Sequence, residues 1–210
     1  MQKPLVIILI AAILLFGCVQ TEIQTKETPP DLSKVEELVF KYTNDERAGH
    51  RLEPLEYDGT LEEMAQWQSE CLVEHNVYDH HTEECGALDK RVEQFNITDS
   101  TGENLFLAWD SPSYYDSGAP AGYYSEEEIA RLIVDGWMDS PTHRENILDE
   151  RYTHVGLGIE YRNDHAIIVT QNFFIEEYCG WENEPCCPYE NDIYGCYEQW
   201  SCNWDTLECG

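Results

Sequence analysis

The nine cysteines constrain this 210-residue chain most, because their spacing divides it into parts that must be stabilised in different ways. Six of them fall within residues 178–210, a segment too short to fold around an apolar core of its own. They are Cys179, Cys186, Cys187, Cys196, Cys202 and Cys209. The spacing predicts a small disulfide-rich module, although the pairing of its cysteines does not follow from sequence. Zinc binding is the alternative, weakened because the module has no His and no Cys-x2-Cys pair.

The chain begins with an apolar run that ends at another cysteine, Cys18. Residues 5–17 carry no charge and follow Lys3. The run is shorter than the roughly 20 residues that cross a bilayer and fits the apolar region of an export signal. The ending Gly17-Cys18 resembles a lipobox, which implies a signal peptide over 1–17 and lipidation of Cys18. An uncleaved short anchor is the alternative, and either one predicts an exported protein held at the extracytoplasmic face of a membrane.

Residues 18–32 are polar, include a Pro-Pro pair and predict a flexible tether behind that anchor. The whole chain has 42 acidic and 12 basic residues, for a net charge of −30. This balance excludes nucleic acid as a partner, since phosphate binding needs clustered Lys and Arg, and it disfavours electrostatic docking on anionic lipid. Hydrophobic residues make up 42% of the chain, enough for a globular core.

Three segments with apolar residues at helical spacing predict α-helices, the first of them over residues 33–48, and a capping signal predicts a fourth. Capping patterns place the helix starts at Ser33, Thr60, Ser125 and Ser140. Leu132 is among the residues that we expect to face inward from the third helix. The fourth helix starts with Pro141, which favours the first helical position.

The apolar period then changes from helical to alternating. Residues 155–161 and 166–174 flank turn residues and predict an antiparallel hairpin. Residues 102–108 predict a further strand, and residues 109–124 a long aromatic loop. Helices followed by a hairpin predict an α+β domain over residues 33–177.

An ordered set of motifs runs through this domain. In chain order they are Asn44-Asp-Glu-Arg47, Tyr78-Asp79-His80, Arg91, Gly102-Glu103-Asn104, Trp137 to Leu148, Val155-Gly-Leu-Gly158 and Thr170-Gln171-Asn-Phe173. The set resembles the CAP superfamily of cysteine-rich secretory, antigen and pathogenesis-related proteins, in its short prokaryotic form. The resemblance implies an α-β-α sandwich. The segment from Cys179 to Pro188 separately resembles knottin-like modules.

The resemblance also implies a cleft lined by two histidines and two acidic residues. It assigns His80, Glu103 and His143 to three of these positions, and they are the candidate catalytic residues. The fourth, a Glu shortly after Trp137, is absent here, and Asp139 is out of register. His80 and His143 are the candidate ligands for Zn²⁺ or another divalent ion, with Glu103 orienting one imidazole. A polar network that joins the helices without catalysis is the alternative.

Several other polar residues are predicted to be structural. We expect Arg91 and Arg144 to pair with carboxylates, and Asn44 and Arg47 to tie the first helix to the sheet. His81 is an alternative to His80 if the register shifts by one residue. We expect His154, at the start of the hairpin, to lie on the surface.

Cys71 and Cys85 complete the cysteine count. A disulfide between them would brace the segment that carries His80, and it would be worth about 3 kcal/mol. Two free thiols are the alternative, which is less favoured in an exported chain.

Three functions remain open from sequence. The first is a membrane-anchored protein that binds an apolar or glycan ligand in the cleft. The second is a metal-assisted hydrolase of peptides or envelope polymers, with Glu103 as its base. The third is an adhesion protein that binds a protein or glycan through the aromatic C-terminal module. The missing fourth acidic residue favours the first.

Overall fold

The computed structural model describes residues 26–97, 101–162 and 165–175, together with the backbone of four short strands near the C-terminus. Its helices are α1 (Leu32–Gly49), α2 (Gly59–Glu74), α3 (Leu88–Gln94), α4 (Glu126–Asp139) and α5 (Pro141–Leu148). Its main strands are β1 (Glu56–Tyr57), β2 (Thr101–Trp109), β3 (His154–Tyr161) and β4 (Ala166–Phe174). The predicted signal peptide and Cys18 lie outside the described residues.

The sheet is built around the predicted hairpin. Its strand order is β1-β3-β4-β2, with β1 parallel to β3 and the other neighbours antiparallel. The strand predicted over residues 102–108 is β2, and it forms one edge of the sheet. The predictions of the hairpin and of the edge strand are confirmed.

Helices cover both faces of this sheet. On one face, α1, α4 and α5 pack around the buried indole of Trp137 and apolar residues of β3 and β4. On the other face, α2 packs against the sheet around Leu72, Leu105 and Ile168. The predicted α-β-α sandwich is therefore confirmed. Leu132 was expected to face inward, but 45% of its surface is exposed, because the apolar stripe of α4 is narrower than its helical spacing suggested.

Two glycines of β3 allow α2 to lie directly on the sheet. A Cβ at Gly156 would collide with the backbone of Leu61, and one at Gly158 would collide with the backbone of Ala65 and Gln66. Glycine is needed here for close approach, since neither position has a positive φ.

The helix starts differ from the sequence prediction at two of four sites. Asp31 caps α1 and Asp58 caps α2, each two residues before the Ser or Thr that the capping pattern indicated. An Asp carboxylate accepts from helical N–H groups at least as well as a Ser or Thr hydroxyl, so the upstream residue begins the helix. Ser125 forms the predicted capping box of α4, and α5 starts with Pro141 as predicted.

Long-range contacts fix α1 within the domain. The guanidinium of Arg47 donates to the carbonyls of Glu53, Ile147, Asp149 and Tyr152 at 2.8 to 3.1 Å. The side chain of Asn44 exchanges two hydrogen bonds with the backbone of Leu55. Both residues tie α1 down as predicted, but their partners are loops and a helix end rather than the sheet.

The end of the predicted tether contacts the domain. Lys26 exchanges two backbone hydrogen bonds with Tyr123, at 2.7 and 2.9 Å, and its Nζ lies 2.5 Å from a carboxylate oxygen of Glu126. The part of the tether from Lys26 onward therefore lies against the start of α4.

The C-terminal segment is described only through backbone strands. Cys187–Tyr189 pairs with Ile193–Gly195, and Cys202–Asn203 pairs with Glu208–Cys209. Both pairs are antiparallel. The side chains of the six C-terminal cysteines lie outside the described residues, and so does their predicted pairing. Among the helices described, none has the length and hydrophobicity to cross a bilayer.

Candidate functional site

His80 and Glu103 meet beside the edge strand of the sheet. His80 lies in the loop between α2 and α3, and Glu103 lies on β2. The Nδ1 atom of His80 is 2.8 Å from Oε1 of Glu103. The carboxylate side chain is 1% exposed whereas the imidazole is 49% exposed. A buried carboxylate thus orients a ring that reaches solvent.

Arg91 neutralises this buried carboxylate from α3. Its Nη2 lies 2.5 Å from Oε2 of Glu103, and both side chains are 1% exposed. Its Nη1 donates to the carbonyls of His80 and Gly86, at 3.3 and 3.0 Å. The predicted ion pair of Arg91 is confirmed. The same guanidinium holds both the carboxylate and the backbone that carries His80.

The carboxylate of Glu103 has three side-chain hydrogen-bond partners. Asn172 on β4 donates to Oε2 at 3.2 Å, in addition to Arg91 and His80. Burial by itself raises the pKa of Glu103, but the hydrogen bond from His80 and the charge of Arg91 outweigh it and hold the pKa below its ordinary value. Glu103 is therefore an ionised orienting group, poorly placed to take a further proton.

His143 approaches from the opposite layer of the sandwich. It is the third residue of α5 and lies in the first turn of that helix. Its ring centroid is 6.5 Å from that of His80, at an interplanar angle of 46°. Burial and the neighbouring His80 lower the pKa of His143, which favours the neutral ring. The structure thus brings together all three predicted site residues.

An amide network behind the two histidines was not predicted. Asn104 donates to the carbonyl of His143 at 3.2 Å and to the side chain of Gln171 at 3.1 Å. Asn146 donates to Asn104 at 2.8 Å, and Gln171 donates to Thr43 at 3.0 Å. The network links β2, α5, β4 and α1. Asn104, Asn146 and Gln171 belong to the sequence motifs, but their spacing in the sequence does not predict that they contact one another.

Asp139 does not replace the acidic residue that is missing after Trp137. Trp137 is buried and donates its Nε1–H to the carbonyl of Leu105 at 3.1 Å. Asp139 is the exposed last residue of α4. No contact joins it to either histidine within the part of the chain that the structure describes.

The histidine pair has the chemistry of a divalent-ion site. With Nδ1 of His80 bound to Glu103, its Nε2 stays available, and the lowered pKa of His143 favours a ring with a free lone pair. No cluster of three His, Cys, Asp or Glu side chains suited to a metal occurs among the described residues. An ion here would have two imidazole ligands and open positions, so the ligand types suit Zn²⁺ or a similar ion, and the two rings would move closer than their 6.5 Å centroid separation to share it.

Three further predictions concern His81, Arg144 and His154. His80 rather than His81 contacts Glu103 and lies beside His143, so the alternative register is not adopted. Arg144 was expected to pair with a carboxylate, but it contacts His50 Nε2 at 2.9 Å. His154 was expected on the surface, but its side chain is 13% exposed and stacks on Phe174 at 4.7 Å, because both residues lie at the paired ends of β3 and β4.

A disulfide braces the loop that carries His80. Cys71 on α2 is bonded to Cys85, with their Cα atoms 5.9 Å apart. Both residues are buried beside Leu72 and Leu105. The predicted disulfide is confirmed, and it closes the chain on either side of His80.

Comparison with known proteins agrees with this architecture. The profile of the Cysteine-rich secretory protein family, CAP, matches residues 40–173. The uncharacterised protein YkwD of Bacillus subtilis (strain 168) is 32% identical over 135 residues, which are 64% of this chain and 46% of YkwD. The uncharacterised membrane protein YlbC of the same organism is 30% identical over 139 residues, 66% of this chain and 34% of YlbC. This chain thus spans less than half the length of either relative.

A solved structure shares the fold. It is that of an extracellular protein containing a SCP domain from Bacillus anthracis str. Ames, with a TM-score of 0.55 and 23% identity over 69% of this chain and 41% of that one. Helices on both faces of a four-stranded sheet, together with the matched profile, identify a CAP domain. The chain belongs to the CAP family of cysteine-rich secretory proteins.

Proposed function

We propose that this protein works outside the cytoplasm, anchored to a membrane through Cys18, and that its cleft binds an apolar or glycan ligand beside a divalent ion. The observation that carries the proposal is the pair of neighbouring imidazoles of His80 and His143. Their ring centroids are 6.5 Å apart, and a buried carboxylate fixes the ring of His80. Export is supported by the predicted signal, by the extracellular Bacillus anthracis relative and by the membrane protein YlbC.

In this proposal each residue has a separate part. His80 and His143 hold the ion, which would supply Lewis acidity and open positions for oxygen ligands. Glu103 fixes the ring orientation of His80, and Arg91 keeps Glu103 ionised in its buried position. Open positions favour a ligand with hydroxyl or carboxylate oxygens, so a glycan fits better than a purely apolar molecule.

The binding function is better supported than hydrolysis. The hydrolase considered from sequence uses Glu103 as its base, so this carboxylate would have to accept a proton from water. Glu103 is buried, bonded to three donors and held at a lowered pKa, and Asp139 lies away from the histidines. Neither Glu103 nor Asp139 is therefore placed to act as the base of that hydrolase.

Zinc titration calorimetry of the oxidised chain tests the proposal. The wild type is compared with His80→Ala and His143→Ala, and His81→Ala is the matched control because its ring is exposed next to the site. We expect micromolar binding that both site variants lose and the control keeps. Absence of binding in the wild type, or equal binding in all four proteins, would reject the ion site.

A further inference from the structure

The outer edge of β2 offers a second binding surface, away from the histidine pair. Because β2 is the last strand in the order β1-β3-β4-β2, β4 pairs with only one of its edges. The free edge of a strand presents backbone N–H and C=O groups that can pair with another chain. The domain itself satisfies some of these groups along β2 and not others.

Side chains satisfy the half of this edge near the histidines. Asn146 donates to the carbonyl of Glu103 at 3.2 Å, and Trp137 donates to that of Leu105 at 3.1 Å. In an antiparallel strand, both backbone groups of one residue point to the same side, and the side alternates along the chain. The groups of Leu107 and Trp109 therefore point to this edge too.

The other half of the edge is open. β2 and β4 pair one residue to one, without a bulge, as far as Trp109. The alternation of backbone groups between the two edges of β2 therefore continues to Trp109. Among the described residues, no hydrogen bond satisfies the outward backbone groups of Leu107 or Trp109. The domain thus covers the edge beside the cleft and leaves two residues of it unpaired.

An apolar groove of about 600 Å³ runs along this open half. It is lined from both sides of the strand, by β2, by the loop that follows it and by α4. Every lining residue is uncharged: Phe106, Leu107, Ala108, Trp109, Ser111, Pro112, Tyr114, Tyr124 and Leu132. Trp109 and Leu132 are 44% and 45% exposed, so the groove presents two large apolar side chains to solvent.

We infer that this groove binds an extended polypeptide segment, which adds to the sheet as a strand beside β2. The open backbone groups require a ligand that alternates donors and acceptors at the strand repeat, and a peptide has that pattern whereas an acyl chain has neither group. The groove walls accept apolar side chains at alternate positions of the added strand. The net charge of −30 favours a segment flanked by Lys or Arg.

This site is independent of the proposed ion. Leu107 is four residues from Glu103, about 13 Å along the strand, and the groove contains no histidine. Peptide binding is therefore expected with or without Zn²⁺. Its failure would leave the proposed ion site untouched, and the reverse also holds.

The test uses the oxidised chain and a capped peptide of alternating Val and Thr with Lys at both ends. We expect amide exchange at Leu107 to slow about tenfold or more at saturation, since a new ladder bond protects its N–H. The comparison peptide carries an N-methyl group on every amide, which removes pairing through either edge of the strand but keeps the apolar side chains. We expect it to give no protection.

Two variants locate the site. Leu132→Glu places a charge in the groove at an already exposed position, and we expect it to weaken peptide binding at least about tenfold. Gln94→Glu adds the same charge on exposed α3 and should bind like the wild type. Circular dichroism and thermal unfolding check that both variants remain folded.

Several results would overturn the inference. Equal binding of the N-methylated peptide would show apolar contact without strand addition. Protection of Leu107 by phosphatidylcholine vesicles, but not by the peptide, would assign the groove to lipid. Protection that depends only on protein concentration would assign it to a second copy of the chain. Absence of peptide binding at millimolar concentration would also reject it.

Discussion

At the residue scale, the buried pair of Arg91 and Glu103 is the group on which the cleft depends. Both side chains are 1% exposed, and together they hold His80 through its ring and its backbone carbonyl. A buried ion pair adds little net stability relative to apolar residues, but removing one partner leaves an uncompensated charge. The pair therefore positions the site more than it stabilises the fold.

A double-mutant cycle tests whether Arg91 and Glu103 form such a buried, mutually dependent pair. We expect Arg91→Met alone and Glu103→Leu alone each to lower the free energy of unfolding by about 3–5 kcal/mol, because each leaves one buried charge unpaired. The combined variant should be more stable than the sum of the two losses predicts. Urea unfolding of the four proteins measures this, and strictly additive losses would contradict the buried pairing.

Arg47 is the structural counterpart on the other face of the sheet. Its guanidinium serves four backbone carbonyls, a fork geometry that a Lys ammonium cannot reproduce. We expect Arg47→Lys to cost about 1–3 kcal/mol in unfolding free energy. Arg151→Lys, at a surface pair with Asp149, is the matched control and should change it by less than about 0.5 kcal/mol. Equal effects would show that Arg47 is not a structural anchor.

At the element scale, the contact between α2 and β3 sets the spacing of the sandwich. We expect Gly158→Ala to destabilise the domain by about 1–3 kcal/mol or more, because the added Cβ meets the backbone of Ala65 and Gln66. Gly49→Ala is the control, since nothing lies within 4 Å of a Cβ built at that helix end. Thermal unfolding distinguishes the two. A Gly158→Ala protein as stable as the control would contradict the packing described.

The disulfide between Cys71 and Cys85 acts on the loop between α2 and α3. Replacing both residues by Ala should cost about 3 kcal/mol in unfolding free energy. It should also weaken zinc binding at His80, because the loop that carries this ring loses one of its attachments. Calorimetry on the folded variant measures the second effect. Unchanged zinc affinity would show that Arg91 alone positions the loop.

The elements show how far sequence alone can predict this fold. The hairpin, β2 and three helices follow from apolar periodicity, which reports the burial of one face. The fourth predicted helix, α5, follows from the capping signal at Ser140 and Pro141. The short helix α3 has seven residues, too few for a periodic stripe, and it was missed. The exposure of Leu132 was also missed, since spacing predicts the direction of a helix face but not the width of the surface that covers it.

The site could be predicted in part for a different reason. His80, Glu103 and His143 were assigned through motif resemblance, and tertiary folding brings them together as that resemblance implied. The bonds from Arg91 and Asn172 to Glu103 join residues far apart in sequence. Neither periodicity nor local spacing contains information about such contacts, so the network behind the histidines required the structure.

At the scale of the whole molecule, the attachment of Lys26 shortens the tether that sequence predicted. Contacts with Tyr123 and Glu126 fix the chain from Lys26 onward to the domain. In the proposed anchored protein, only residues 19–25 then separate Cys18 from this attachment, a reach of about 28 Å at full extension. The aromatic loop and the start of α4 would lie toward the membrane.

In the proposed function, His80 and His143 together hold a divalent ion. Crystals of the oxidised chain soaked in Zn²⁺, measured at wavelengths above and below the zinc absorption edge, test this. We expect an anomalous peak within bonding distance of an imidazole nitrogen of both residues, and its loss in His143→Ala crystals. A wild-type cleft without a peak, while zinc occupies other sites in the same crystal, would contradict the account.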